Sequence, residues 1–421
     1  MTDTYVVHYS EVALKGKNRP EFVRVLRRNI ARTLAPLHPD VESRDGRFFV
    51  TLDADPADVA LRLSRVFGVA WFARADVVDA DYGKIEDAVL ETARASTAQT
   101  FMVDPRRADK KFPISSMELA RKLGSAVADE TGKGVDLSGP GLRIHVDIIR
   151  RQALIYAAKT QGPGGLPVGT AGRVMHLFSG GIDSPVAAWL LLKRGVRPVY
   201  LHFYLAPASE VPMQSKIAKL VKVLSAWGGK STLVMVPFAE YQLATAEVPG
   251  ELEPSLFRRF MRMTAEHLAP QFGASAVSTG DSLSQAASQT LWNIGVFDSG
   301  SSLPVLRPLL SYDKEEVVGL ARRIGTYELS LEEYKDCCAI ITRHPRTRAK
   351  AAKIAEYVEG LGFGNLISRS LESASLASYS PKNDETKIAP LSKVIDLAAK
   401  GQAPARMQSA TPRLAPGQAK L

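Results

Sequence analysis

The sequence predicts an α/β protein of three domains: two small α+β domains, then a larger domain built on a doubly wound parallel sheet. Three observations carry this. The 421 residues are more than one ordinary core accommodates. Strand-like and helix-like segments alternate from the first residues onward, which favours mixed layers. Past a stretch dense in Gly and Pro at 161–172, short apolar strands alternate with long helices, the pattern of a parallel sheet covered on both faces.

The elements follow in order. In a first domain, 1–75, Tyr5-Val-Val-His-Tyr9 reads as a strand and Arg19–Ile30 as a helix opened by Pro20, with apolar residues at 22, 23, 26 and 30. Arg47–Leu52 is a second strand and 56–66 a second helix. A second domain, 76–168, holds a helix at 85–95, a strand at 100–103 and a helix at 116–131 capped by Ser115 or Ser116. Leu142–Ile149 alternates at period two, and Ala153–Ala158 is its expected hairpin partner. Gln161–Gly172 reads as a linker or series of tight turns. In the third domain, 172–372, strands are expected at 174–178, 199–203, 232–236 and 276–279, and helices at 185–194, 211–227, 254–272 and 313–324. Residues 373–421, rich in Ser, Ala, Pro, Lys and Gln with little periodicity, are expected to form a flexible tail.

Composition excludes several classes. Hydrophobic residues at 45% and charged residues at 23% exclude wholesale disorder, collagen and a coiled-coil rod. The two cysteines are neighbours, Cys337 and Cys338, which excludes a disulfide framework and a cysteine-rich zinc site. No apolar run approaches membrane-spanning length, and the start has no secretory pattern, so a reduced cytoplasmic protein without a membrane partner is expected. The net charge of +10 leans toward a polyanionic partner.

The most informative segment is Val174-Met-His-Leu-Phe-Ser179-Gly-Gly-Ile-Asp-Ser184-Pro185, a strand running into a Gly-rich turn and then a helix. Gly180 and Gly181 permit close backbone approach, Ser179 and Ser184 offer hydroxyls, and N–H groups at the helix start make an anion site. Asp183 suits holding a metal ion or orienting the attacking group. The string has no lysine, so it is not a Walker loop, and it lacks the Gly spacing of a dinucleotide fingerprint. A tight turn capped by Ser184 is the alternative reading of the glycine pair alone.

Ser179–Ser184 resembles the PP-loop of the ATP pyrophosphatases. Ser10–Arg19, Gly162–Gly169, Thr279-Gly-Asp-Ser-Leu-Ser-Gln-Ala-Ala-Ser-Gln-Thr290 and Asp336-Cys-Cys338 extend the likeness to the ThiI family of tRNA 4-thiouridine synthetases over roughly residues 1–370. The resemblance implies a ferredoxin-like domain, a THUMP domain and a PP-loop domain, in that order. It implies a tRNA sulfurtransferase that adenylates the 4-oxygen of the uridine at position eight with ATP and Mg2+, then replaces that oxygen with persulfide sulfur. It leaves open a second role supplying sulfur for the thiamine thiazole. For ATP it points to Leu177, Phe178, Ser179, Gly180, Gly181, Ser184, His202, Phe203, Arg259, Gly280 and Gln289. Arg258 is an equally basic neighbour of Arg259. For catalysis it points to Asp183, Lys314, Cys338 and, less firmly, Cys337. Without the resemblance, Lys314 reads as a surface lysine, and the cysteines read as buried packing groups.

Some relatives add a rhodanese-like domain with its own cysteine, and others bind an iron–sulfur cluster on three cysteines. With two cysteines in all, this chain is expected to take sulfur through Cys337/Cys338 from a cysteine desulfurase, a separate rhodanese or another sulfide source. ThiS, a sulfur carrier, is a further expected partner, and relatives lead one to expect a homodimer. On the RNA side Arg106, Arg107, Lys110, Lys111 and Arg121 form a basic cluster with few aromatics among them, so phosphate and shape contacts to folded tRNA are expected over base stacking. Two rivals remain: a PP-loop enzyme acting on a small molecule, which leaves the basic N-terminal domains and Asp336-Cys-Cys338 idle, and a catalytically silent tRNA-binding scaffold.

Overall fold

Alternate side chains along the first strand choose opposite faces, and that choice organises the N-terminal unit. In β1 (Asp3–Tyr9), Tyr5 and Val7 are buried with Leu26 and Ile30 of α1 (Arg19–Thr33), while Val6 is buried on the other face. β2 (Asp40–Arg44), β3 (Arg47–Leu52), α2 (Pro56–Leu63) and β4 (Val69–Arg74) complete an antiparallel layer whose helices bury Val59, Leu63 and Leu26 on one face. The structure, a computed structural model, describes residues 2–108, 110–205, 215–334, 346–381 and 383–394.

A second layer follows: β5 (Asp76–Asp79), α3 (Tyr82–Arg94), β6 (Thr100–Arg107), α4 (Ser116–Thr131), β7 (Gly134–Val135), β8 (Leu142–Ile149) and β9 (Gln152–Tyr156). Its strand order is β5-β9-β8-β6-β7, with β8 and β9 forming the expected hairpin and β6 parallel to β8. Ser115 is the cap of α4, accepting from Glu118 N. The even-numbered residues of β8 pack on Ile85, Val89, Leu119 and Leu123 of the helices; Ile149, Leu154 and Tyr156 face the other way and pack with Val6, Phe49 and Ala73 of the first sheet.

Gln161–Gly172 is not a loose linker. β10 (Thr160–Gln161) adds to β4 as the edge strand of the first sheet, opposite Trp71 and Phe72. The chain then stays on that domain: Gly164 N donates to Val69 O (2.8 Å), Gly68 N to Gly164 O (2.7 Å) and Ser10 Oγ to Gly165 O (3.1 Å). Gly162 lies so close to the Val69 carbonyl that a Cβ has no room. The division into two compact units falls between Pro167 and Val168.

In the second unit β11 (Arg173–Leu177), α5 (Asp183–Lys193), β12 (Arg197–Tyr204), α6 (Lys216–Gly228) and β13 (Ser231–Pro237) make the first half of the parallel sheet. α7 (Ala239–Ala244), α8 (Glu253–Phe272), β14 (Val277–Ser278), α9 (Leu291–Asp298), β15 (Val305–Leu306), α10 (Lys314–Ile324), α11 (Tyr327–Leu331), α12 (Ala351–Gly360) and α13 (Phe363–Glu372) follow. With two further strands, β16 (Ser375–Ser380) and β17 (Asn383–Pro390), the order is β15-β14-β11-β12-β13-β16-β17. α5 is buried nearly all round, from Ser184 to Leu192, as a central helix of such a layer must be.

The expectation of a flexible tail from 373 fails over 375–390. β16 (Ser375–Ser380) pairs antiparallel with β13, and β17 (Asn383–Pro390) pairs antiparallel with β16. Ala377 and Tyr379 face inward, but small serines between them hide the period-two signal. Residues 395–421 lie outside the described part.

Candidate functional site

Strand order reverses at β11, whose neighbours are β12 on one side and β14 on the other. Ligands of open α/β sheets bind at such a switch point, beyond the carboxyl ends of the strands. The Ser179–Ser184 loop sits there, joining β11 to α5. Ser184 closes it: its Oγ donates to Ser179 O (2.9 Å) and accepts from Ser179 N (3.0 Å), while Gly181 N approaches Ser179 Oγ at 3.4 Å. With the Ser184 hydroxyl used inside the loop and no side chain capping α5, the helix's first N–H groups face outward as an anion cradle.

A cavity of about 620 Å³ opens in front of this loop, within the range of small-molecule sites. Its wall includes Leu177 and Phe178 at the end of β11, the loop residues Ser179, Gly180, Gly181, Asp183 and Ser184, His202 and Phe203 of β12, Gly280 after β14, and Gln289. Gln289 Oε1 is buried there without a hydrogen-bond partner, a group that a ligand donor would satisfy. Gly280 is required by packing, because a Cβ on it would come within 2.9 Å of Ser184 N and Cα.

Arg259 is placed differently from expectation. It is absent from the cavity wall, and its guanidinium approaches the Phe297 carbonyl (3.5 Å) and lies against Gly300. Burial, with Arg262 nearby, pulls its pKa down to about 10. Arg258 takes the cavity position, one helical step away on α8. It donates to Asp281 Oδ2 (2.6 Å) and stacks over Phe297 at 4.9 Å. Arg307 also donates to Asp281 (3.2 Å) and grips Asp298 by two bonds of 3.0 and 2.6 Å. Burial pushes the Asp281 carboxyl up, but the charges and hydrogen bonds of Arg258 and Arg307 outweigh it and hold the group below the usual carboxylate range.

Asp183, the first residue of α5, accepts from Lys314 Nζ at 3.0 Å and from Gln285 Nε2 at 3.4 Å. Lys314 opens α10, where a cation opposes the helix dipole; its partnership with Asp183 gives the position a reason. The pair is half exposed and is worth little to stability.

Three residues at or behind the cavity wall were not expected. His176 is fully buried behind the loop, where its Nε2–H donates to Ser184 O (2.9 Å) and its Nδ1 accepts from Ser278 Oγ. Burial pulls its pKa down to about 4, so it is neutral. Lys216 and Tyr334 line the cavity opposite the glycines. No linear motif flags them, because α6 and the segment after α11 meet only in three dimensions. Cys337 and Cys338 lie outside the described residues.

The basic cluster divides. Arg106, Lys110, Lys111 and Arg121 are exposed. Arg107 is not free for RNA: its NH1 donates to the carbonyls of Phe112 and Ile114, 2.8 Å each, and braces the connection into α4. Aromatics do interleave with cations, contrary to the linear reading. Lys159, between β9 and β10, lies over Trp71 (4.9 Å) and Tyr156 (5.5 Å), and Trp71 stacks on His8 at 3.9 Å; the three rings come from β4, β9 and β1. Among the described residues no group of three or more His, Cys, Asp or Glu is placed to hold a metal ion, and no helix is long and apolar enough to cross a membrane.

A PP-loop cradle at the switch point of a parallel sheet, preceded by two α+β layers, defines a nucleotide-binding α/β protein of the ATP pyrophosphatase type. Residues 169–363 match the thiamine biosynthesis protein (ThiI) family, 4–73 the ThiI ferredoxin-like domain and 80–158 the THUMP domain. A probable tRNA sulfurtransferase of Caldanaerobacter subterraneus is 39% identical over 371 residues, 87% of this chain and 97% of that one. One from Moorella thermoacetica is 38% identical over 388 residues, 91% and 100% respectively. Among solved structures, a 4-thiouridine synthetase–RNA complex with bound ATP matches with a TM-score of 0.82 and 32% identity over 90% of this chain and all of that one. The chain belongs to the ThiI family, and it is an enzyme.

Proposed function

We propose that the chain is an ATP-dependent tRNA sulfurtransferase that converts a tRNA uridine, at position eight, to 4-thiouridine. The observation that carries this is the cavity in front of Ser179–Ser184, where an anion cradle, Asp183–Lys314 and the unpartnered Gln289 oxygen meet. Its volume and chemistry fit ATP, which is bound in the 32% identical synthetase–RNA complex.

A uridine 4-oxygen is a poor leaving group. In the proposed reaction it attacks the α-phosphorus of ATP, the bond to pyrophosphate breaks, and N3 gives up its proton. The loop N–H groups and Arg258 hold phosphate charge, and Lys314 meets charge developing on the phosphates as the bond breaks. The terminal sulfur of a cysteine persulfide then attacks C4 and AMP leaves. A second thiol takes the carrier sulfur as a disulfide, the thione is freed, and an external dithiol restores both thiols. Cys338 carries the sulfur in this reading and Cys337 is the neighbouring thiol, with the persulfide supplied by a cysteine desulfurase or a separate rhodanese. Asp183 would hold Mg2+, which is commonly bound by one or two carboxylates together with substrate phosphates, and the ion would supply charge neutralisation for departing pyrophosphate. The exposed Arg106, Lys110, Lys111 and Arg121 engage tRNA phosphates.

The test is nucleoside analysis of tRNA from a deletion strain carrying variants. Cys338→Ala is expected to abolish 4-thiouridine while ATP binding persists; normal 4-thiouridine in that strain removes the assigned role. Asp183→Ala is expected to lose adenylation yet bind tRNA normally in a gel shift, and loss of tRNA binding would make Asp183 a structural residue.

A further inference from the structure

Lys216 occupies the first turn of α6, where the helix dipole disfavours a cation, and it is 8% exposed. Burying an ammonium there is costly unless its protons are satisfied. They are directed at one short piece of chain: Nζ donates to Ser330 O (2.7 Å) and to Glu332 O (2.8 Å), at the end of α11. One turn along α6, Lys219 pairs with the Glu332 carboxylate at 2.9 Å. The same piece of chain is tied to the phosphate loop. Tyr334 OH donates to His202 Nε2 (2.8 Å), and His202 Nδ1–H donates to Phe178 O (2.8 Å), the residue before the loop. A Cβ on Gly180 would come within 3.3 Å of Tyr334 Cδ1 and 3.5 Å of Lys216 Cδ. Residues 330–334 are thus fastened to both walls of the cavity, and Cys337 and Cys338 follow Tyr334 by three and four positions in sequence. So short a chain spans at most roughly 10–14 Å, which limits how far a thiol can stand from the anchor.

We propose that Lys216, together with Tyr334, is a positioning residue that holds the approach to the cysteine pair against the nucleotide cavity, so that sulfur delivery keeps pace with adenylation. The inference rests on the adenylate reading above and deepens it. In coupled turnover the adenylate loses AMP to sulfur. When sulfur is late, water attacks the adenylate, a C–O or P–O bond breaks, and AMP and unmodified uridine result with no change of oxidation state. The anchor therefore sets the ratio of AMP released to 4-thiouridine formed.

The experiment uses the full chain, unmodified tRNA, ATP, and a cysteine desulfurase with cysteine as persulfide source, and it measures AMP and 4-thiouridine together. Lys216→Met keeps the stem that packs on Gly180 and removes the ammonium. It is expected to raise AMP per 4-thiouridine about threefold or more while the KM for ATP moves less than about twofold. Tyr334→Phe is expected to shift the ratio in the same direction, and Lys216→Arg, which can donate to both carbonyls, to stay near the parent ratio. Replacing the desulfurase with concentrated inorganic sulfide, which needs no protein carrier, is expected to restore the ratio in Lys216→Met. A parallel fall of both products, a raised KM at constant ratio, or no rescue by sulfide overturns the proposal. If Lys216→Met does not fold, Tyr334→Phe, which removes a single oxygen atom, decides by the same ratio and the same sulfide rescue. Absence of tRNA-dependent AMP from the parent chain is a different result, and it overturns the adenylate reading before any variant is compared.

Discussion

At the residue scale, two neighbouring arginines on one helix have different work. Arg258 reaches the cavity and shares Asp281 with Arg307, whereas Arg259 turns toward Phe297 and Gly300. Arg258→Lys keeps a cation beside Asp281 but loses the planar fork, so the KM for ATP should rise roughly tenfold, against less than about twofold for Arg259→Lys. Steady-state kinetics on both variants checks this. His176 predicts a pH effect. An unfolded histidine titrates near 6.5 and this one at about 4, so between those values the unfolded chain binds a proton that the folded domain does not. Stability from this group is complete above pH 6.5 and falls by roughly 3 kcal/mol as pH drops to about 4. His176→Gln, which keeps a donor for Ser184, should flatten that slope. Denaturant titrations followed through the Trp189–Trp227 pair, 5.4 Å apart, report it. The sequence revealed the loop residues because serine and glycine have few other reasons to stand in that order. It did not separate Arg258 from Arg259, since which of two adjacent helical residues faces a cavity depends on where the helix docks.

At the element scale, the loop works because α5 and the end of β14 touch. Gly280 meets the backbone of Ser184 with no room for a Cβ, and His176 ties Ser184 to Ser278 from below. Gly280→Ala must push the turn after β14 away from the first turn of α5. ATP affinity should fall by more than about tenfold, while tRNA affinity in a gel shift stays within about twofold of the parent. Equal loss of both would mean that the substitution unfolds the chain. Element types were legible wherever a strand or helix kept its hydrophobic period: β14 lies within its expected span, β11, β12 and β13 match theirs to within two residues at each end, and α8 and α10 begin within one residue of expectation. They were illegible where polar residues carried the structure. β16 and β17 hid in serine-rich sequence, and Gln161–Gly172 looked like a linker because its order comes from Val69 and Ser10, far away in the chain.

At the scale of the whole molecule, a nucleotide cradle and a basic, aromatic-bearing N-terminal unit share one chain, an arrangement that a small-molecule PP-loop enzyme has no use for. Domain order was legible because each domain carries its own period and its own motif. The Trp71–Lys159–Tyr156 group was not, since its members come from β4, from β9 and from the connection between β9 and β10, and meet only in the folded unit. The central claim is that the uridine oxygen itself is transferred to AMP, which one isotope measurement addresses. A tRNA carrying ¹⁸O at the 4-position of the target uridine is turned over with unlabelled ATP and a persulfide donor, and the AMP is analysed by mass spectrometry. One ¹⁸O atom is expected in the phosphate of AMP for each 4-thiouridine formed. Unlabelled AMP beside normal 4-thiouridine, or release of ADP in place of AMP, would contradict it.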